Sequence, residues 1–106
     1  MFASVRQYRI PADRIDETMH LADTELADRL AEEPGFVAYE VMTTEDGTVC
    51  SMTICEDRDG AERSIEIAAE FVRDHLSGFE IESLGSMTGE LMVSRARERV
   101  LEPAHH

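Results

Sequence analysis

Four side chains in this sequence are the strongest candidates for chemistry, and all four fall in segments with strand-like alternation. Arg6 and Tyr8 lie two residues apart in FASVRQYRI, so both point to one face of a strand. Glu40 and Glu90 lie within later alternating segments and share that face in our assignment. A phenol can hydrogen-bond a substrate oxygen, a guanidinium can stabilise a developing oxyanion, and a buried carboxylate can accept a proton. The sequence therefore predicts that Tyr8, Arg6, Glu40 and Glu90 are catalytic residues acting on an oxygen-bearing ligand.

Hydrophobic periodicity predicts the elements that position these groups. Alternation predicts strands over 2–10, 36–44, 48–55 and 86–94. Helical spacing of apolar residues predicts two helices, the first ended by Pro34 and Gly35. The apolar stripe of the first helix is Ile15, Met19, Ala22, Leu26 and Leu30. The stripe of the second is Ala61, Ile65, Ala68, Val72 and Leu76.

The element order βαββαβ predicts an α+β, ferredoxin-like fold. In that arrangement two helices cover one face of a four-stranded antiparallel sheet. We expect a single domain over residues 1–94 and a C-terminal tail over 95–106, because nothing beyond Pro103 has a structural pattern.

The hairpin between the second and third strands decides which side chains share a face. Asp46-Gly47 is typical of a two-residue hairpin loop. With that loop, Val41 pairs with Met52 and Tyr39 with Ile54. We therefore assign to the helices the more apolar face: Ala3, Val5, Val37, Tyr39, Val41, Cys50, Met52, Ile54, Met87, Leu91 and Val93.

The opposite face is mixed in character and predicts a ligand cavity that a second sheet closes. It carries the four catalytic candidates together with Ser4 and several small, flexible or hydroxyl side chains. We predict that the ligand-binding residues are Ala38, Met42, Ser51, Thr53, Thr88 and Met92. The alternative is a solvated face with surface ion pairs, each of which contributes little to stability.

The charge balance excludes nucleic acid and anionic membranes as partners. The chain has 23 acidic and 10 basic residues and a net charge of −13, and every basic residue is arginine. Phosphate binding requires a basic patch that this chain lacks. An acidic composition without lysine indicates either a salt-rich, halophilic cytoplasm or a high-GC bacterium whose codons favour arginine.

The cysteines indicate a reducing compartment and no metal site. Cys50 and Cys55 lie five residues apart on one predicted strand, so they point to opposite faces and cannot bond to each other. Reduced thiols favour a cytoplasmic location. No second ligand pair accompanies the cysteines, so we predict no metal, and no apolar run reaches the length of a membrane span.

Three segments carry a resemblance to a known family. They are EPGFVAYEV over 33–41, EDGTVCSMTICEDRDGAERS over 45–64 and AAEFVRDHL over 68–76. Together with the strand pattern, they resemble the antibiotic biosynthesis monooxygenase family of the dimeric α+β barrel superfamily. The resemblance implies a homodimer whose two sheets form a barrel, with ligand pockets between sheet and helices. It also implies cofactor-free oxygenation of phenols or quinones.

The family's functional residues match this chain only in part. The cofactor-free oxygenases use Trp and Asn, with Tyr and Arg assisting; this chain has neither Trp nor Asn, so only Tyr8 and Arg6 match. Haem-degrading members use a His on the second helix with a strand Asn and a Trp, and His75 lacks both partners.

Two functional hypotheses follow. The first is a homodimer that binds a flat, partly apolar small molecule and oxidises it with O2 and no cofactor. The alternative is a non-catalytic ligand-binding or interaction module of the same fold, which the missing Trp and Asn favour.

Overall fold

The computed structural model describes residues 1–95 as an antiparallel sheet covered on one face by helices. The strands are β1 (Phe2–Arg9), β2 (Phe36–Thr43), β3 (Thr48–Cys55) and β4 (Glu82–Glu90), in the order β2-β3-β1-β4. The first helical stretch contains a 3-10 turn (Ala12–Arg14), α1 (Ile15–Leu21), a π-helical segment (Ala22–Leu26) and α2 (Ala27–Ala31). The second helix is α3 (Arg58–His75). The predicted ferredoxin-like α+β fold is confirmed.

Local signals in the sequence set the ends of the helices. The Asp57 side chain accepts a hydrogen bond of 2.7 Å from the backbone N–H of Gly60 and caps the N-terminus of α3. Gly35 has φ +81°, a conformation that glycine adopts without steric cost as the chain turns from α2 into β2. The two helices pack on the sheet through a core of Leu26, Leu30, Ala68, Phe71 and Leu76.

The β2–β3 hairpin has a three-residue loop, and the predicted two-residue loop was wrong. Thr43 pairs with Val49, and the backbone N–H of Thr44 donates to the Thr48 carbonyl at 2.9 Å. Gly47 closes the loop with φ +87°, as expected for a type I turn followed by a left-handed residue. Asp46 accepts hydrogen bonds from the Thr44 hydroxyl and the Thr48 N–H, which lower the pKa of Asp46 to about 2. The extra loop residue shifts the whole pairing register by one.

Strand β4 begins earlier than predicted. The sequence predicts a strand over 86–94, whereas β4 runs from Glu82 to Glu90 because it pairs with the full length of β1. Gly85, with φ +135°, lies beside the register shift between Gln7 and Tyr8. Just beyond β4, the backbone N–H of Leu91 donates a hydrogen bond to the Met1 carbonyl and extends the contact with the start of β1. Apart from Arg95, the predicted tail lies outside the described residues.

Candidate functional site

The helices cover the opposite face of β1, β3 and β4 from the one predicted, and Met87, which was assigned to the helices, pairs with Val5 on the face away from them. Ser4 and Arg6 of β1 and the alternating residues of β3 from Val49 to Cys55 are buried, while Met52 and Ile54 face away from the helices. The one-residue slip at the hairpin causes this, since it exchanges the two faces of β3 relative to β2. On β2 the assignment was correct, because Tyr39 and Val41 lie against the helical layer.

Arg6 is the centre of a buried polar network between the sheet and α3. Its Nε donates to the Ser51 hydroxyl at 3.0 Å, Nη2 to the Thr53 hydroxyl at 3.0 Å and Nη1 to the Ser64 carbonyl at 2.9 Å. The Ser4 and Ser64 hydroxyls lie 2.7 Å apart and join the same network. All these acceptors are neutral, and Arg6 is only 1% exposed. Burial lowers the pKa of Arg6, and this buried cation is the dominant local charge.

Beside this network, an apolar cavity of about 40 Å³ lies between the sheet and the helices. Tyr8, Tyr39 and Ser51 line it from the sheet, and Arg6 lies 6.0 Å from the centroid of the Tyr39 ring. Within residues 1–95 no side-chain hydrogen bond involves either tyrosine hydroxyl, and the buried side-chain atom without a partner is the hydroxyl of Thr18. The cavity has room for a few water molecules, whereas sites for drug-sized ligands are typically about 300–1,000 Å³. A ring system therefore binds only if lining side chains move.

Both phenols remain protonated at neutral pH. Burial raises the pKa of Tyr39 to about 12, and the Arg6 charge opposes that rise. Burial also raises the pKa of Tyr8, again against Arg6. The two hydroxyls are consequently neutral groups that can donate or accept a hydrogen bond, and neither is a base at neutral pH.

Alkaline titration tests this environment. The ordinary pKa of tyrosine is 10.0 and the folded value at Tyr39 is about 12. The contribution of Tyr39 to the free energy of unfolding is therefore complete below pH 10. It declines between about pH 10 and pH 12, because Tyr39 loses its proton at a lower pH in the unfolded chain than in the folded chain. The chain has two tyrosines and no tryptophan, so phenolate absorbance reports these groups directly. We expect Tyr39→Phe to remove the higher-pH step; a folded wild-type chain in which both phenols ionise at their ordinary pKa would contradict the structure.

The helical wall of the cavity contains a residue that the sequence analysis missed. Thr18 of α1 lines the cavity together with Met19, Ala22 and Leu26. It is 4% exposed, and within the described chain its hydroxyl has no hydrogen-bond partner. The signal was present in the sequence, because a residue three positions after Ile15 and four before Ala22 lies on the apolar face of the helix.

The predicted catalytic group does not converge. Arg6 and Tyr8 lie on the helix-covered face, whereas Glu40 pairs with Met52 on the opposite face and is exposed. Glu90 pairs with Phe2 at the end of β4, on the other edge of the sheet from Glu40. Glu90 keeps the predicted face, which it shares with Thr88, but it lies at the end of β4 away from the cavity, whereas the pairing register places Glu40 on the opposite face.

The six predicted ligand contacts also divide between the two faces. Ser51 lines the cavity, and Thr53 is fully buried beneath it as a partner of Arg6. Thr88 pairs with Ser4 on the helix-covered face at the edge strand. Ala38 and Met42 lie on the opposite face, and Met92 lies beyond β4 and is 80% exposed.

The face of the sheet away from the helices, which we call the outer face, is largely apolar. Its central row runs from β2 to β4 as Glu40, Met52, Val5 and Met87. The flanking rows are Met42, Cys50, Gln7 and Gly85, and Ala38, Ile54, Ala3 and Gly89. In the single chain Met42 is 61% exposed and Met87 is 70% exposed. No helix of the described chain covers this surface.

Other kinds of site find no support in the described part of the chain. No group of three or more His, Cys, Asp and Glu side chains is arranged to hold a metal. Cys50 and Cys55 are free thiols, and burial raises the pKa of Cys55, which disfavours the nucleophilic thiolate. No helix within residues 1–95 has the length and hydropathy needed to cross a membrane.

The fold and pocket define a ferredoxin-like α+β protein with a small apolar site between sheet and helices, and solved structures share this fold. A candidate antibiotic biosynthesis monooxygenase from Deinococcus radiodurans matches with a TM-score of 0.72 and 14% identity, over 92% of this chain and 98% of that one. A dimeric ferredoxin-like protein from an uncultured marine organism matches with a TM-score of 0.68 and 15% identity, over 91% and 98%.

A third match is a monooxygenase from the gene ActVA-Orf6 of Streptomyces coelicolor, in complex with the ligand nanaomycin D. Its TM-score is 0.67 and its identity 16%, over 91% of both chains. The chain spans only 65% of the longer MupZ of Pseudomonas fluorescens, with a TM-score of 0.67 and 11% identity over 82% of this chain. No protein-family model matches the chain, and no curated protein matches its sequence. The resemblance to antibiotic biosynthesis monooxygenases is confirmed at the level of the fold.

Proposed function

We propose that this protein is a homodimer that binds a small, flat aromatic molecule bearing a phenol or quinone oxygen in the pocket between sheet and helices. The observation that carries the proposal is the pair of neutral phenol hydroxyls, Tyr8 and Tyr39, which line an apolar cavity without a hydrogen bond in the described chain. An apolar pocket with a few unpaired polar groups is suited to a ligand with an apolar body and a polar substituent.

The surroundings favour an electron-rich oxygen on the ligand. The positive charge of Arg6 lies near Tyr8 and Tyr39, and none of the three acceptors of its hydrogen bonds is a carboxylate that would neutralise it. In a site of low dielectric, such a charge stabilises partial negative charge on a nearby oxygen. Met19, a flexible side chain in the cavity wall, is suited to move aside for a ring.

The homodimer is supported by the outer face. Monomeric proteins rarely leave a broad apolar sheet surface in water. A second copy of the same surface, related by a two-fold axis, would cover it with matching chemistry. A protein of the same fold, described as dimeric, covers 91% of this chain in the structural comparison.

A second candidate function is oxidation of the bound phenol by O2, and the position of Arg6 favours it. For 1-naphthol the balanced reaction is 1-naphthol plus O2 giving 1,4-naphthoquinone plus water. The ring carbon opposite the phenol loses its hydrogen and gains one oxygen atom, while the other oxygen atom leaves as water. Arg6 would stabilise the phenolate that first forms, and Tyr8 would hydrogen-bond its oxygen. Because Glu40 and Glu90 lie away from the pocket, neither is assigned as the proton acceptor.

Thermal-shift and titration measurements with three probes test the binding function. We expect 1-naphthol and 1,4-naphthoquinone to stabilise the wild-type protein more than naphthalene does, since only they offer an oxygen to the phenols. Tyr8→Phe or Tyr39→Phe should weaken 1-naphthol binding about threefold to tenfold, the value of one neutral hydrogen bond, and leave naphthalene unaffected. If none of the probes binds, or if both variants bind 1-naphthol as the wild type does, the proposed site is wrong.

Oxygen uptake separates the two candidate functions. If the protein catalyses the oxidation, it should consume one O2 for each quinone formed at a saturating concentration of 1-naphthol. Binding with no uptake above the protein-free rate would assign the protein as a non-catalytic binding module.

A further inference from the structure

Thr18 is a buried hydroxyl without a partner within residues 1–95, and this is unusual for a threonine in a helix. A buried hydroxyl that forms no hydrogen bond costs about 1–3 kcal/mol. Helical threonines commonly donate to the carbonyl four residues earlier, and Thr24 does so in the same helical stretch, with its hydroxyl 2.8 Å from the His20 carbonyl. The Thr18 hydroxyl does not donate to the carbonyl four residues earlier. Its hydroxyl is therefore left with no protein group to bond in the described chain.

The position of Thr18 indicates what its hydroxyl can bind. It lies on the helical wall of the cavity, while Tyr8 and Tyr39 lie on the sheet wall. The rest of the helical wall is apolar: Met19, Ala22, Leu26, Ala68, Phe71, Val72 and Leu76. The pocket thus has two phenols on one side and one isolated hydroxyl on the other. The π-helical segment Ala22–Leu26 follows α1 directly, and such segments are frequent at functional sites.

We propose that Thr18 is a specificity-determining residue that hydrogen-bonds a second oxygen of the ligand, on the edge opposite the oxygen held by the tyrosines. The inference rests on the proposed function and narrows its ligand to aromatic molecules with oxygens on two opposite edges. A threonine hydroxyl donates and accepts, so it suits a hydroxyl or a carbonyl at that position. A ligand with one oxygen leaves Thr18 unpaired, as it is in the free protein, whereas a second oxygen pairs it, and this gained hydrogen bond is the physical basis of the selectivity.

The test compares two ligands in two proteins. The ligands are 1-naphthol and 1,5-dihydroxynaphthalene, which differ only by a second hydroxyl on the far ring. We expect the wild-type protein to bind the dihydroxy compound about threefold to tenfold more tightly than 1-naphthol. Thr18→Val, which keeps the shape and removes the hydroxyl, should abolish that difference, so that the two ligands bind the variant with equal affinity. Thr24→Val is the matched control, and it should keep the wild-type preference.

Each outcome has one meaning. Equal effects of Thr18→Val on both ligands, or no effect on either, would overturn the role of Thr18 while leaving the binding function standing. A Thr18→Val protein that melts at lower temperature with unchanged ligand preference would show that the hydroxyl holds a buried water, which also overturns the proposal. If neither ligand binds the wild-type protein, the proposed function itself fails and the inference fails with it.

Discussion

Replacing Arg6 with alanine is expected to lower the free energy of unfolding by about 3–5 kcal/mol, a large fraction of the roughly 5–15 kcal/mol that stabilises a small domain. The substitution removes the guanidinium donors that reach the Ser51 and Thr53 hydroxyls and the Ser64 carbonyl. Each buried acceptor left unpaired costs about 1–3 kcal/mol, and the lost volume adds a cavity between β1 and α3. The change is measured as the shift in the denaturant midpoint at constant m-value.

Two further variants separate the causes. Arg6→Met retains most of the side-chain volume and removes the desolvation cost of the buried charge together with the hydrogen bonds. Without the added cavity, the total destabilisation should be about 1–3 kcal/mol. Arg9→Ala is the matched control, because Arg9 follows Arg6 on the same strand and is exposed; it should change stability by less than about 0.5 kcal/mol. An Arg6→Ala protein that unfolds within error of Arg9→Ala would show that the buried network contributes nothing.

This network also explains why the sequence predicted the elements but not the faces. The helices were predictable because their apolar stripes keep a helical period, and Leu26, Leu30, Ala68 and Leu76 of those stripes are indeed buried. The strands were predictable because their side chains alternate. The choice of face relied on polarity, and polarity misleads where polar residues bond to each other inside the protein. Ser4, Arg6 and Thr53 are each at most 1% exposed.

The predicted two-residue hairpin loop led to the same wrong assignment of faces. A two-residue loop at Asp46-Gly47 pairs Val41 with Met52, and both are apolar, so the wrong register grouped apolar residues together. In the structure Val41 pairs with Ser51. The extra loop residue depends on the Thr44–Thr48 closure and on the left-handed Gly47, and the dipeptide Asp-Gly is compatible with either loop length. The β2–β3 pairing register therefore cannot be predicted from the local sequence alone, because tertiary packing determines it.

The consequence for the candidate site is specific. Tyr8 lines the pocket and Arg6 lies beside it, and the two share a face because they lie two residues apart on one strand. Glu40 was grouped with them only through the predicted hairpin register, which was wrong. Glu90 keeps the predicted face but lies at the far end of β4 from Tyr8. The helical period places Thr18 on the apolar face of its helix, but the meeting of Thr18 and Tyr39 at one cavity depends on packing between elements distant in sequence.

Introducing a charge on the outer face is expected to dissociate the proposed homodimer. Met87 lies in the central row of the outer face and is 70% exposed in the single chain, so Met87→Glu should leave the fold of each chain intact. In a dimer closed by this face, the carboxylate would be buried without a partner. A two-fold interface would contain that change twice, and one such change at the centre of an interface costs about 2–4 kcal/mol. The dissociation constant should therefore rise at least about 30-fold.

Met92→Glu provides a control with the same residue types and the same change in charge. Met92 is 80% exposed and lies beyond the end of β4, outside the rows of the outer face. The comparison is made by sedimentation or light scattering across a protein dilution series. Met92→Glu should match the wild type and Met87→Glu should be monomeric at concentrations where the wild type is not. Loss of the dimer in both variants would point to charge alone, and not to the outer face.

Salt concentration supplies an independent check on the same interface. Each chain carries a net charge of −13, so two chains brought together repel each other. The screening length falls from about 10 Å at 0.1 M salt to about 3 Å at 1 M, while apolar burial does not weaken. The wild-type dimer should therefore tighten in molar KCl, and Met87→Glu should recover only part of its loss, because screening does not offset the cost of burying its carboxylate. A wild-type chain that stays monomeric at both salt concentrations would contradict the proposal that a second copy of the chain covers the outer face.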